Sequence, residues 1–220
     1  MFKLIWPLQN HYSKLRAFTL AAVCLLTVVW SNFSSAAYSK SSILSAYIYR
    51  LAENIQWPSA SGEPHYTIHV IDDNSKIYDT LKQLSSKSRL HGKPFKVSRS
   101  HSGQLPSSVD LVFISEQKVA LYPSVLAKTV GKNVLIVSYG ATNQRTLMIN
   151  IFQNKDNKLG FEINKSNVLN RNLGINPDII LLGGTEIDVA QLYKEGQIQL
   201  ADLETKVSRL EQRRSQMEEA

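Results

Sequence analysis

The sequence predicts an α/β protein: a three-layer sandwich around a mixed β-sheet, followed by a C-terminal coiled-coil helix. Three observations predict it. Uninterrupted apolar runs at 111–115 and 134–138 alternate with helical patterns, as strands do in a sheet covered on both faces. Residues 147–164 read as a hairpin, two apolar segments around the turn-forming cluster 154–158. From about Ile187 the apolar residues recur at heptad spacing.

In chain order, Lys14 and Arg16 precede an apolar run at 17–30, followed by small residues around Ala36 and Ala37. The run is shorter than the about 20 apolar residues of a membrane span. It predicts a secretory signal over 1–37, cleaved after Ala36 or Ala37, with a retained anchor as the alternative. The protein beyond it is then expected outside the cytoplasm, in a periplasm. Cys24 is the only cysteine, so the exported part has no disulfide, thiol nucleophile or thiolate metal ligand. The formal charge of +7 falls to +4 once Lys3, Lys14 and Arg16 are set aside, too mild to argue for nucleic acid.

Ser41 or Ser42 can cap a helix over about 43–56 that is apolar around nearly its whole circumference. Trp57-Pro58 ends it, because a residue before proline disfavours the helical region. A strand at 67–71 delivers Asp72, Asp73, Asn74 and Ser75 to a loop, one of which is expected to cap a helix over 76–86. A strand at 95–98 follows, then the apolar strand 111–115. A helix is expected over 116–130, with Pro123 tolerated early or breaking it, and Gly131 as its stop. After strand 134–138 the hairpin is expected to add antiparallel strands at one edge of the sheet; residues 165–172 then read as a short helix, Gly174 as a turn and 177–182 as the start of a last helical segment. The domain is expected over 41–182 and the coiled-coil helix over 187–220. In that helix Val189, Gly196, Leu203, Leu210 and Met217 fall at one heptad position. Tyr193, Leu200, Val207 and Arg214 fall at the other. Gly196 and Arg214 break the apolar seam, which leaves a lone amphipathic helix packed on the domain as the alternative.

Strand alternation puts Leu147, Ile149, Ile151, Leu159, Phe161 and Ile163 on one face of the hairpin. The other face brings Asn150, Glu162 and Asn164 within reach of one another. These three are candidate binding residues; the alternative is a buried hydrogen-bond network that locks the hairpin to neighbouring loops. Tyr49 and Arg50 are the surface candidates on the first helix, of the types enriched at interfaces, whereas Tyr47 and Trp57 are expected in its packing. Asp72, Asp73 and Asn74 stand where α/β folds place ligands, with helix capping as the competing role. No histidine set has metal-ligand spacing, and no serine has a hydrolase context. No catalytic residue, metal or cofactor is expected.

Several segments together carry a resemblance. They are 46–58 ending in Trp57-Pro58, Val70-Ile71-Asp72-Asp73, Leu90-His91-Gly92-Lys93-Pro94, and 111–115. The tightest are 148–152 followed by Phe161-Glu162-Ile163-Asn164. In this order and spacing the chain resembles the YfiR family (DUF4154) over roughly 41–182. The resemblance implies a non-enzymatic periplasmic repressor that lowers cyclic-di-GMP signalling and biofilm formation. It would bind the periplasmic sensory domain of an inner-membrane diguanylate cyclase, or another transmembrane signalling protein, as a homodimer. Related domains at the front of sensor kinases imply an alternative: a ligand-sensing extracytoplasmic domain of a truncated sensor-kinase-type receptor, which binds an unidentified small molecule and signals through the coiled coil. The family's redox-sensitive disulfides have no counterpart here. Whether the coil pairs with itself or with the partner stays open.

Overall fold

The computed structural model describes residues 39–58 and 63–218. The expected secretory signal lies outside them. Among the described residues no helix is long and apolar enough to cross a membrane.

The chain runs α1 (Lys40–Glu53), β1 (Ile55–Gln56), β2 (Tyr66–Ile71), α2 (Lys76–Ser85), β3 (Phe95–Ser100) and β4 (Leu111–Ile114). A 3-10 helix (Glu116–Leu121), α3 (Tyr122–Lys128), β5 (Leu135–Tyr139), β6 (Ile149–Gln153), β7 (Leu159–Ile163) and α4 (Lys165–Leu169) follow. Then come β8 (Gly174–Ile175), a second 3-10 helix (Pro177–Leu182), β9 (Gly184–Glu186) and α5 (Val189–Glu218). Seven strands form one mixed sheet in the order β3-β2-β4-β5-β6-β7-β9, with helices on both sides. The strands from β3 to β6 are parallel, β7 is antiparallel to β6, and β9 runs parallel to β7.

The central strands explain the apolar runs. Every residue of β4 and β5 is buried, because helices close both faces. Phe113, Phe161, Ile48, Leu51 and Ile55 are among the largest fully buried side chains. Each such side chain contributes roughly 1.5–3 kcal/mol by leaving water. The sheet thus carries Asn150 and Glu162 directly, while Tyr49 and Arg50 stand on α1, which packs into the same core.

Four local expectations are corrected. The first helix stops at Glu53, because Ile55–Gln56 pairs in extended form with Gly174–Ile175, ahead of Trp57-Pro58. The expected single helix over 116–130 is two pieces: Pro123 starts α3 near its first turn, where its missing N–H costs nothing. Gly174, read as a turn, lies in β8. The hairpin is not the sheet's edge. β9 lies outside it, and Ile187 N donates to Ile163 O at 2.9 Å, so the sheet extends past residue 182.

His69, on β2, is 3% exposed and holds Ser98 Oγ at 2.8 Å and Ser100 Oγ at 2.9 Å with its two ring nitrogens. Burial pushes its pKa below the ordinary histidine value. The unfolded chain therefore binds this proton more readily than the folded one. The stability it contributes is present above the ordinary value near 6.5 and is lost as pH falls towards and through the depressed folded value. Urea unfolding at pH 7 and pH 5 is expected to show wild type losing more stability on acidification than His69→Gln. Equal losses would remove His69 from this role.

Candidate functional site

The hairpin forms as its alternation requires. Asn150 pairs with Glu162, Ile151 with Phe161 and Ile149 with Ile163. Asn154 closes the turn, its Oδ1 accepting from Asp156 N and Lys158 N, while Asn157 takes φ 59°. Ser138 of β5 stands opposite Asn150, so Ser138, Asn150 and Glu162 lie abreast across three strands.

Asn150 is 2% exposed and uses its full bonding capacity. Its Oδ1 accepts from Ser138 Oγ at 3.0 Å and Ala141 N at 2.9 Å. Its Nδ2 donates to Ala141 O at 2.9 Å and Glu162 Oε1 at 3.0 Å. The other Glu162 oxygen accepts from Gln144 Nε2 at 2.7 Å. Asn164 caps α4: its Oδ1 accepts from Asn167 N at 3.1 Å, and its Nδ2 donates to Gln144 O. Asn167 Nδ2 then donates to the carbonyls of Arg145 and Leu147. The structure thus brings together Asn150, Glu162 and Asn164, and joins them to the loop between β5 and β6. Their polar atoms are spent inside the fold, as the buried-network reading expects. The loop so held carries Arg145, and a Cβ on Gly196 of α5 would lie 2.6 Å from its guanidinium. The glycine that breaks the heptad seam is where Arg145 crosses the helix.

Tyr49 and Arg50 lie elsewhere. Tyr49 Oη donates to Arg89 O at 2.9 Å and its ring meets Phe95 at 5.9 Å, on the β3 edge. Four strands separate β3 from β7 in the sheet order. Burial, then the Glu53 carboxylate, raises the Tyr49 phenol above its usual pKa. Arg50 is exposed and pairs with Glu53 at 3.1 Å. Tyr47, one helical face away, donates to Leu159 O and Leu182 O, in keeping with a packing role.

Beside Tyr49 and Arg50 the fold assembles a cluster that sequence reading did not collect. Trp57 meets Tyr66 at 5.3 Å and His91 at 6.2 Å, and Tyr66 meets His91 at 6.0 Å. Lys93 Nζ lies 5.9 Å over the Tyr66 ring. Trp57 and Tyr66 remain half-buried while His91 and Lys93 are exposed. Trp57, expected in the packing, therefore also shows a surface. Partly exposed tryptophan and tyrosine, with an exposed arginine nearby, are residue types enriched at protein–protein interfaces.

The strand order also reverses between β2 and β4, the position at which open α/β sheets receive ligands. A crevice of about 600 Å³ lies at this end, lined by Asp73, Asn74, Ser75, Arg99 and Gln117. Asn74 Oδ1 accepts from Lys76 N, whereas Ser75 makes no side-chain cap. Lys118 at 2.7 Å, aided by His101, holds the Asp73 carboxyl below its usual pKa. Asp72 is 3% exposed, and its Oδ1 meets no hydrogen-bond partner among the described residues.

A family model described as DUF4154, YfiR/HmsC-like, matches residues 41–183. No curated protein matches the chain.

Proposed function

The chain belongs to the YfiR/HmsC-like family, and from that premise we propose that it represses an inner-membrane diguanylate cyclase by contact with the cyclase's periplasmic sensory domain. The family is periplasmic, regulatory rather than catalytic, and works in cyclic-di-GMP signalling. The observation that carries the finer reading is the partly exposed cluster of Trp57, Tyr66, His91 and Lys93, with Tyr49 against Phe95, the cross-strand neighbour of Tyr66, and exposed Arg50 next to it in the chain. Its aromatic rings are pre-packed by the fold, so docking freezes few rotamers. Its basic rim suits an acidic partner surface.

Cells lacking the chain are expected to hold more cyclic-di-GMP than cells that make it, and re-expression is expected to restore the lower level. Unchanged nucleotide levels on removal, at matched growth, would contradict repression.

The crevice lined by Asp73, Asn74 and Arg99 supports a second reading, in which a small molecule binds the domain and α5 passes the signal on. A metabolite that raises the melting temperature of wild type but not of Arg99→Ala would support that reading.

A further inference from the structure

The exposed seam of α5 and the charges beside it point to one occupant and one orientation. Leu200, Leu203, Val207, Leu210 and Met217 are each more than half exposed. Such a stripe on a 30-residue helix is far from the ordinary scatter of single surface apolar residues. Their spacing sets the register. Leu200, Val207 and Arg214 take position a; Leu203, Leu210 and Met217 take position d. Val207 at a with Leu203 and Leu210 at d is the combination that suits two strands.

The flanking charges then decide the direction. Position e holds Glu204 and Glu211, and position g holds Lys206 and Arg213. In a parallel, in-register pair each g residue faces the following e residue of the other helix, so Lys206 meets Glu211 of a second copy. In an antiparallel pair e faces e and g faces g, which sets glutamate against glutamate and lysine against arginine. We infer that α5 pairs with α5 of a second copy as a parallel, in-register, two-stranded coiled coil that starts after Gly196. The start is fixed by contact: Arg145 occupies the space over Gly196, and the side chains from Gln197 onward clear the domain edge. Lys206 bonds Asp202 of its own helix at 2.7 Å, an exposed pair worth little, and can turn to the second copy. Arg214 at position a weakens the seam and is best tolerated in two strands, whose flanks stay open to water.

The pairing has a functional consequence. A parallel coil holds two α/β domains at the same end, and so presents two copies of the aromatic cluster together. The inference itself does not depend on the regulatory reading, since it rests on the helix alone.

The seam has six positions, so association is concentration-dependent and best read by trapping. The probe is the full chain with Cys24→Ser and Met217→Cys, mildly oxidised. Expected is a disulfide-linked homodimer from this chain alone. Lys206→Glu with Arg213→Glu, and separately Glu204→Lys with Glu211→Lys, are each expected to reduce the homodimer about tenfold or more. Mixing the two charge variants is expected to restore cross-linking between them, which also shows that neither has simply misfolded. Cross-linking seen only between Met217→Cys and Leu200→Cys chains would mean antiparallel packing and would overturn the inference. Failure to form any homodimer, including capture of only a foreign helix, would overturn it too.

Discussion

Asn150→Ala is expected to lower stability by about 3–5 kcal/mol, a large share of the 5–15 kcal/mol typical of a domain. The side chain makes four hydrogen bonds, three of them to the backbone of Ala141 and to Ser138, the fourth to Glu162. Truncation leaves the Ala141 N–H and C=O unpaired in a site where Ala141 is 7% exposed. Each such orphan costs about 1–3 kcal/mol. Glu162 keeps only Gln144 of its two side-chain partners.

Asn150→Asp separates bonding from size. It replaces the Nδ2 donor with an oxygen facing a carbonyl and the Glu162 carboxylate. A proton on the new carboxyl restores the donor, so the folded state would hold that proton more tightly than the unfolded chain does. The stability it contributes is then largest below the ordinary aspartate range and is lost as pH rises through the raised folded value. Urea unfolding across pH checks both variants. A loss under about 1 kcal/mol for Asn150→Ala would mean that the network is dispensable.

Arg50→Glu is expected to weaken capture of the membrane partner about tenfold to a hundredfold while leaving the fold intact. Its guanidinium bonds the exposed Glu53 carboxylate, and such pairs contribute about 0–1 kcal/mol. Arginine and aromatic anchors at the centre of an interface are worth 2 kcal/mol or more on truncation, and charge reversal adds repulsion. Co-precipitation at graded concentrations, with thermal unfolding as the control, measures this. Unchanged capture by Arg50→Glu together with Lys93→Glu would move the docking surface elsewhere.

Much of this was legible in the sequence because it is written in local periodicity. The apolar runs of β4 and β5 are strands buried on both faces, and alternation along 147–164 put Asn150, Glu162 and Asn164 on one face, whereas the register that sets Asn150 opposite Glu162 is fixed by the fold. What was not legible depends on distant partners. Ile55–Gln56 is extended because Gly174–Ile175 lies beside it, and two residues carry no period. Gly184–Glu186 has no apolar side chain to mark it, yet it closes the sheet against β7. Trp57, Tyr66 and His91 meet only when the start of β2 and the turn before β3 come together. Four residues from Asp72 to Ser75 competed for the cap of α2, and only the fold shows that Asn74 takes the Lys76 N–H while Asp72 is buried. The heptads of α5 were legible, but Gly196 gained its reason only from Arg145.

The most direct test of contact repression places a photoactivatable side chain at Lys93, at the exposed rim of the aromatic cluster. Intact cells are irradiated and the adducts in the membrane fraction are identified by mass spectrometry. The account predicts an adduct to the periplasmic sensory domain of a diguanylate cyclase, lost when Arg50→Glu is added. Adducts confined to the chain itself, or to proteins with no signalling domain, would contradict it.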